Sequence, residues 1–564
     1  MIVATDVHAS SPQGAPFIIE RCSFRPGQRF DYAHVSVPEG KLLNWPMVYI
    51  LANETAAYVG QTTSAVTRMN QHGAAEEKQD FTSVNFIYNE EFNASVITDY
   101  EHRLIGLMHA DGKYKLTNKN DGMTDTEYFS KSAYSKMFET LWEQLRRYNL
   151  VDHTIQEIEE SEVFKYSPYK GLTPDQLQAL NTIEERIKMG LDASLPIVVE
   201  GMPGTGKTIL AIYLLKKLRD DPQYRGMNIR ILEPVTSLRK TLQTCLSSVA
   251  GLSKDDVIGP LDLVKATYCT GKDAEQPFDI LLVDEAHRLK QRVNLGTQFR
   301  YFDDTCRKLG LDKQATQIDW ILKQTKLPIF FYDPLQTVLL SCVGSNVLRE
   351  SLGFAVDNPI ELSSQMRVKG GKAYLSYILD ILSDENPSPM RFQNYDFKLH
   401  KDFKDFVASF ERTYAEHSLS RMVAGYAWKW ISKGDVSGAV KDIVIDGIGL
   451  RWNCTYDNWV GRGIENEEIA HEVGCIHSIQ GYDLSYAYVI IGNDIRMDPE
   501  TGELEANRAS YFDRNGYATT TQDQLTRYIR NIYYVLLTRG IYGTHVYVVD
   551  EKLRDYFAQF ILVV

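Results

Sequence analysis

The stretch LPIVVEGMPGTGKTILAIYLLKKL, residues 195–218, decides the fold. Its first half, PIVVE, is a short continuous apolar run of the kind that forms a strand buried on both faces. Its second half, ILAIYLLKKL, is apolar over a length suited to a helix. Between them, Gly201-Met202-Pro203-Gly204-Thr205-Gly206-Lys207-Thr208 fits G-x-x-x-x-G-K-S/T. A glycine-rich turn is the ordinary reading of such a string, and the strand before it and the helix after it displace that reading. The glycines let backbone N–H groups curl around phosphates, Lys207 reaches the β- and γ-phosphate oxygens, and Thr208 is a ligand for Mg²⁺. The helix N-terminus adds its dipole. Gly201, Gly204, Thr205, Gly206, Lys207 and Thr208 are thus the candidate ATP cradle.

Outward from this stretch, the apolar segments IRILEP (229–234), FDILLVDE (278–285), LPIFFYD (327–333), YAYVIIG (486–492) and THVYVVD (544–550) alternate with helical stretches. Such alternation predicts an α/β protein with parallel sheets covered by helices on both faces, here two sheets parting near residue 360. FDILLV runs into Asp284-Glu285-Ala286-His287. An aspartate at a strand's carboxyl end is placed to share the Mg²⁺ shell, and the adjacent glutamate to orient an attacking water. The pair predicts turnover of ATP in addition to binding.

The chain has 564 residues, which at about 150 per domain predicts three or four domains. Apolar residues make up 44% and charged residues 24%, which excludes a disordered or fibrous chain. The net charge of −13 excludes a protein that grips nucleic acid through bulk charge, so a nucleic-acid partner requires a local basic track. No apolar run approaches the roughly 18 residues of a membrane span, and MIVATDVHASSPQGAP lacks the features of a secretory signal. A cytoplasmic protein without a membrane partner is expected. The seven cysteines are scattered and form no C-x-x-C pair, which disfavours a disulfide framework or a thiolate zinc site.

Further motifs follow in order: Leu172-Thr173-Pro174-Asp175-Gln176, Asp333-Pro334-Leu335-Gln336, Gln365-Met366-Arg367, His477-Ser478-Ile479-Gln480-Gly481-Tyr482-Asp483, and Tyr534-Val535-Leu536-Leu537-Thr538-Arg539-Gly540. With the phosphate cradle, they make residues 172–550 resemble a superfamily 1 helicase core, most closely the Schlafen-type helicase-like ATPases. The resemblance implies two RecA-like domains, 172–360 and 361–564. It implies that Gln176 reads the adenine, that Gln336 senses the γ-phosphate, and that Arg367 and Arg539 cross the interdomain cleft as arginine fingers. A lone arginine is more often a salt-bridge partner. The motif series favours the finger, for Arg539 ahead of Arg367.

Residues 47–150 read as short strand, short strand, helix, strand, helix, a small α/β unit. It carries Met47-Val48-Tyr49 and Tyr58-Val59-Gly60, then Arg68 and His72 four apart on one helix face, then Glu101 and Asn118. This set resembles the GIY-YIG nuclease family. The resemblance implies that Tyr49 accepts a proton from, or positions, the attacking water with Tyr58 in support, and that Arg68 stabilises developing negative charge. It further implies that Glu101 holds one divalent metal ion, Mg²⁺ or Mn²⁺, while His72 shares the base role or orients Tyr58. A tyrosine, with an ordinary pKa of about 10, needs Arg68 and the metal to act as a base. Met47 stands where the family has its first glycine, and the interval between the two tyrosine motifs is short. Singly, Tyr49 and Tyr58 read as cross-strand packing and Glu101 as a solvated carboxylate. Lys113, Lys115 and Lys119 either guide a phosphate backbone or form a solvated charge run.

Residues 1–46, with five prolines, read as an N-terminal extension, and 151–171, with EIEESE, as an acidic linker. The segments 291–325 and 385–470 read as insertions. Tyr426, Trp428, Trp430, Trp452 and Trp459 could include a base-stacking platform, but such residues are more often core, and none is assigned a role from sequence. The combined expectation is an ATP-dependent translocase or helicase coupled to a metal-dependent endonuclease. Its partner is nucleic acid, DNA ahead of RNA, in prokaryotic defence against foreign DNA, with an oligomer or a defence-system partner protein left open. The alternative is a nucleotide-switch ATPase whose N-terminal module binds nucleic acid or protein without cutting.

Overall fold

The strands of the parallel sheets draw on short runs rich in β-branched and aromatic residues, such as Ile197–Gly201 and Thr325–Tyr332. The structure, a computed structural model, describes residues 17–564 apart from 33–34, 36, 119–127, 170, 193–194, 266–275, 338–340, 436, 454–458, 480–481 and 514–519. Lys119, Gln480 and Gly481 therefore lie outside the described residues. Two units divide the chain, residues 1–177, 212–226 and 241–256 in the first and 178–211, 227–240 and 257–564 in the second.

In the first unit, strands β1 (Ile18–Ser23), β2 (Met47–Ala52), β3 (Ala56–Thr62), β4 (Ser83–Tyr88) and β5 (Lys115–Leu116) form one sheet in the order β1-β4-β2-β3-β5. All neighbours are antiparallel except β3 and β5. Strand β2 is buried along its whole length. The hairpin register sets Tyr49 opposite Gly60 and Leu51 opposite Tyr58. The helix Ala94–Asp111 starts at Asn93, whose side chain accepts from the Val96 N–H, and stops at Gly112 with φ 75°. The helix Lys131–Arg147 buries Phe138, Leu141, Trp142 and Leu145.

Two expectations fail here. Residues 17–46 do not trail as an extension: β1 pairs with β4, and Phe17, Phe24, Phe30, Val37 and Leu42 are buried. The strand is six residues long and flanked by prolines, which hides its pattern. Residues 151–171 do not form a solvated linker. They hold the helices Ile155–Glu160 and Glu162–Lys165, the first opened by a capping box between Thr154 and Glu157. The buried Asp111 carboxylate accepts from the backbone N–H groups of Asp152 (3.0 Å) and His153 (2.7 Å), and Val151, Ile158 and Tyr169 are buried.

The second unit contains two parallel sheets, as predicted. The first comprises β6 (Ile197–Gly201), β7 (Ile229–Leu232), β8 (Val257–Ile258), β9 (Phe278–Val283), β10 (Thr325–Tyr332) and β11 (Ile360–Leu362), ordered β11-β6-β10-β9-β7-β8. The second comprises β12 (Asp396–His400), β13 (Arg421–Ala424), β16 (Leu484–Ile491), β19 (Gly540–Val548) and β20 (Leu562–Val563), ordered β13-β16-β19-β12-β20. Two hairpins stand apart, β14 (Ile443–Ile445) with β15 (Ile448–Leu450), and β17 (Ile495–Met497) with β18 (Leu504–Ala506). Residue 360 lies within β11, so the first sheet ends just beyond the expected division. Segment 385–470 is less an insertion than expected, since it supplies β12, β13 and the helix Phe403–Glu416.

Candidate functional site

In the second unit the phosphate cradle follows β6 directly. Gly204 and Gly206 take φ of 83° and 77°, a region that strains any residue with a Cβ. Space also demands glycine at 204, where a Cβ would collide with the Gln365 Oε1. Gln365 Nε2 donates to the Pro203 carbonyl (2.7 Å), and Met366 N donates to the Gly204 carbonyl (2.9 Å). The Gln365-Met366-Arg367 segment thus rests on the cradle. Lys207 is nearly buried and donates to the carbonyls of Gly201 (2.6 Å) and Met202 (3.1 Å), with the Asp333 Oδ2 at 3.4 Å. Thr205 closes the turn by donating to the Met202 carbonyl.

Strand β9 delivers Asp284 and Glu285 to its carboxyl end. Asp284 is buried, and neither carboxylate oxygen has a hydrogen-bond partner within 3.5 Å. Burial, reinforced by the Glu285 charge, holds its carboxyl above the usual carboxylate range, against the Thr208 hydroxyl and Lys207. Two buried, unsatisfied oxygens beside a threonine hydroxyl fit a divalent cation. Glu285 takes φ 46° and its Oε2 lies 2.9 Å from His287 Nε2. Burial raises the Glu285 carboxyl, but His287, Lys207 and Arg539 outweigh it and hold the group well below the usual carboxylate range.

Beyond the end of β10, Asp333 accepts from Gln336 Nε2 at 2.6 Å. Gln336 Oε1 in turn accepts from Arg539 Nη2 at 3.2 Å, and Arg539 Nη1 donates to the Tyr482 carbonyl at 3.4 Å. Lys207, Asp333, Gln336 and Arg539 therefore form one polar chain from the cradle of the first sheet to the start of β19 in the second. The Arg367 guanidinium pairs with Asp483. Gln176 belongs to the first unit, where it is buried and its Oε1 accepts from Thr173 N at 3.0 Å. The sequence reading missed Glu233, fully buried after β7 and held well above the usual range by burial and by the charges of Asp284 and Glu285. A glutamate closing the apolar run IRILEP was its only signal.

The first unit gathers the other predicted set. Tyr49 Oη lies 2.7 Å from His72 Nε2, and Arg68 Nε donates to it at 3.2 Å. Gly60 is required opposite, because a Cβ there would run into Tyr49 Oη. The Tyr58 and His72 rings lie 5.5 Å apart, and Lys78 Nζ sits 3.3 Å from the Tyr58 ring centroid. Asn118 clamps β3 through both backbone groups of Val59. Tyr58, Arg68, His72, Lys78, Glu101 and Asn118 line a cavity of about 540 Å³.

The electrostatics depart from the sequence expectation. Arg68 does pull the Tyr49 phenol down, but burial dominates and holds it far above the usual tyrosine range. Burial, then Arg68 and Lys78, lowers His72 to about 4, so its imidazole is neutral at pH 7. Of the two placements that sequence offered for His72, its hydrogen bond goes to Tyr49, while Tyr58 meets it by ring contact only. Lys78 had no sequence signal. Lys113 is engaged by Asn149 and Asp152, and Lys115 is exposed on β5. Among the described residues, no group of three or more His, Cys, Asp and Glu side chains is arranged to hold a metal ion. Among them also, no helix is long and apolar enough to cross a membrane. Trp452 and Trp459 are core, Tyr426 is buried, and Trp428 and Trp430 are half-buried.

Residues 196–550 match a family model described as Schlafen group 3, DNA/RNA helicase domain. An uncharacterized protein of Saccharomyces cerevisiae, YPL245W, is 23% identical over 397 residues, 64% of this chain and 82% of that protein. The Pif1 helicase from Candida albicans is similar over 68% of this chain and 96% of its own, with a TM-score of 0.29 and 11% identity. S. cerevisiae Dbp5 bound to RNA and ADP BeF3 is similar over 70% and 94%, with a TM-score of 0.28 and 14% identity. The matched family span takes in the cradle, Asp284, Glu285, Gln336 and Arg539, and exceeds half of the chain. The protein belongs to the Schlafen group 3 DNA/RNA helicase domain family and is a helicase-like ATPase.

Proposed function

We propose that this ATPase is a nucleic-acid translocase or helicase with two RecA-like domains, and that its N-terminal domain is a GIY-YIG-type phosphodiesterase acting on DNA ahead of RNA. The observation that carries the motor is the polar chain from Lys207 through Asp333 and Gln336 to Arg539. Arrival of the β- and γ-phosphates gives Lys207 anionic partners in place of two carbonyls. Gln336 then reports the γ-phosphate to Arg539, which stabilises the charge of the transferring phosphoryl group. Arg367, paired with Asp483, is the second candidate finger behind Arg539. Glu285, held ionised, orients the attacking water. Thr208 and Asp284 would hold Mg²⁺, which when bound neutralises phosphate charge.

For the nuclease, the supporting observation is the Tyr49, His72 and Arg68 cluster beside a cavity walled by Glu101. The raised Tyr49 phenol argues against a free tyrosinate. A relay suits it better: the Tyr49 oxygen accepts the proton of the attacking water as its own proton passes to His72 Nε2. A phosphodiester seated by Arg68 and Lys78 would offset the two positive charges that, after burial, hold His72 down. Glu101 would hold the divalent ion, Mg²⁺ or Mn²⁺. Residues 47–150 would thus cut what the motor delivers, in prokaryotic defence against foreign DNA.

One observation favours the nucleotide-switch alternative. Tyr49 and His72 are both shifted away from neutral pH in the directions that oppose acid–base work, as suits a cavity that binds without cutting. Labelled single- and double-stranded DNA and RNA, incubated with ATP and with Mg²⁺ or Mn²⁺, separate the readings. Cleavage lost in Glu101→Ala with ATPase retained supports the nuclease. Intact substrates under every condition leave the switch.

A further inference from the structure

Strand β13 ends at Ala424, and the next residues, Gly425-Tyr426-Ala427-Trp428-Lys429-Trp430-Ile431-Ser432-Lys433, carry three aromatic rings and two lysines that the ATP site does not use. Tyr426 turns inward, its ring 5.5 Å from Trp452 and 6.0 Å from Tyr511. Trp428 and Trp430 each keep part of their surface open, Ile431 is 59% exposed, and Lys429 and Lys433 are exposed. An exposed apolar β-branched side chain beside two indoles that pack on the core with one side and keep part of the other uncovered asks for a partner.

The loop is held rigidly. The buried Asp442 carboxylate accepts from Ser432 N (2.8 Å) and Trp452 N (2.9 Å), and Phe512 N donates to the Tyr426 carbonyl (2.8 Å). Trp428 lies against Gly492, where a Cβ would meet its ring at 2.8 Å. Asp435 is likewise spent on local N–H groups of Ser437 and Val440. The nearby cations differ. Lys433 Nζ sits 5.1 Å from the Trp430 ring centroid and Lys429 Nζ 5.6 Å from that of Phe512. The Lys441 stem lies across Gly449 in the adjoining hairpin. Among the described residues none of these three lysines forms an ion pair. Lys429 and Lys433 on this loop and Lys441 beside it are thus exposed cations without an ion-pair partner among the described residues, in a chain whose net charge is −13.

We propose that the loop Tyr426–Lys433 is a stacking platform for single-stranded nucleic acid, with Trp430 and Trp428 under the bases and Lys429, Lys433 and Lys441 facing the phosphates. This rests on the motor reading above and names the side chains that would grip the strand. Single strands present the base faces that an indole stacks on, while a duplex hides them. The platform also has a route to the ATP site. Gly492 N, under Trp428, donates to Tyr533 Oη at 3.1 Å, and Tyr533 donates to the buried Asp494 at 2.5 Å. Tyr533 belongs to the helix Gln522–Leu537, which runs directly into Thr538-Arg539. Pressure on the loop thereby bears on the helix that carries Arg539.

The test is fluorescence anisotropy of the full chain with fluorescein-labelled oligothymidylate and oligouridylate of about 20 nucleotides, with duplex DNA as competitor. Trp430→Ala should weaken single-strand binding about tenfold, and Trp430→Phe should keep it within about threefold of the wild type. Replacing Lys429, Lys433 and Lys441 together by serine should lower the salt slope by about 2. Trp430 also packs partly against the core, so binding is measured well below the thermal midpoint of each variant, which separates lost stacking from lost folding; Trp430 is chosen because Trp428 packs on Gly492 as well. Wild-type affinity in both Trp430→Ala and the triple lysine variant would overturn the platform and leave the motor reading standing. A wild-type chain that binds no single strand would overturn both.

Discussion

Arg539 donates to Gln336 across 3.2 Å, and this bond joins the last motif of the second sheet to the Asp333-Pro334-Leu335-Gln336 turn of the first. Gln336 is bound on its other side to Asp333, which also faces Lys207. A glutamine spends its oxygen on one partner and its amide nitrogen on the other, so it cannot move toward a phosphate without changing both. Any shift of Gln336 therefore alters the contact between the two sheets at the same time.

Arg539→Ala is expected to lower ATP turnover about 10³-fold or more while ATP binding changes only a few-fold. Phosphate release and binding of a fluorescent ATP analogue, measured on the same preparation, check the split. Equal loss in both would place Arg539 in ground-state binding instead.

Glu285→Gln should abolish hydrolysis and leave ATP bound, because the amide can neither accept the water's proton nor carry the charge that His287 and Lys207 favour. Normal turnover in the purified variant would remove Glu285 from the site.

Lys207→Met is expected to cost stability as well as activity. It leaves the buried Asp333 carboxylate without its cation, and a one-sided removal of this kind costs on the order of 3–5 kcal/mol. Denaturant unfolding without nucleotide measures it, and Lys207→Met with Asp333→Asn should recover part of the loss.

Gly60→Ala should destabilise the first unit by about 1–3 kcal/mol, because the new methyl would overlap the Tyr49 phenol. The same variant should lose any cleavage activity, since Tyr49 is displaced from His72. ATP hydrolysis offers the control.

Stability should fall on acidification between about pH 6.5 and 4. Burial lowers His72, His109 and His400 to about 4, so the unfolded chain takes up these protons before the folded chain does. The contribution is complete above the unfolded pKa of about 6.5 and is lost as pH drops through that window, by on the order of 1–3 kcal/mol per histidine. Thermal midpoints at pH 7.5 and 5 measure the slope, and His109→Gln should reduce it.

The strands of both parallel sheets that carry the ATP motifs were legible in sequence because their burial on two faces leaves continuous apolar runs. Strand β12 was not, since Asp396 and Lys398 interrupt it and five residues are too few to show a period. Strand β1 was hidden among prolines, and the run EIEESE concealed Ile158, whose burial ties residues 155–160 into the first unit. Motifs local in sequence, such as the cradle and Asp284-Glu285, could be read directly. The pairings Arg367 with Asp483 and Tyr49 with His72 depend on elements far apart in the chain, and no spacing announces them. Nor does sequence show that burial would overrule Arg68 at Tyr49.

The Gln365 side chain occupies the space where residue 204 would carry a Cβ, and it is anchored there by the Pro203 carbonyl. Any side chain at 204 would evict Gln365, and a shorter residue at 365 would leave the Pro203 carbonyl unanswered. In evolutionary terms the two positions are therefore locked to each other: drift at one is harmful unless the other has already changed, and relatives are expected to keep or exchange the pair as a unit.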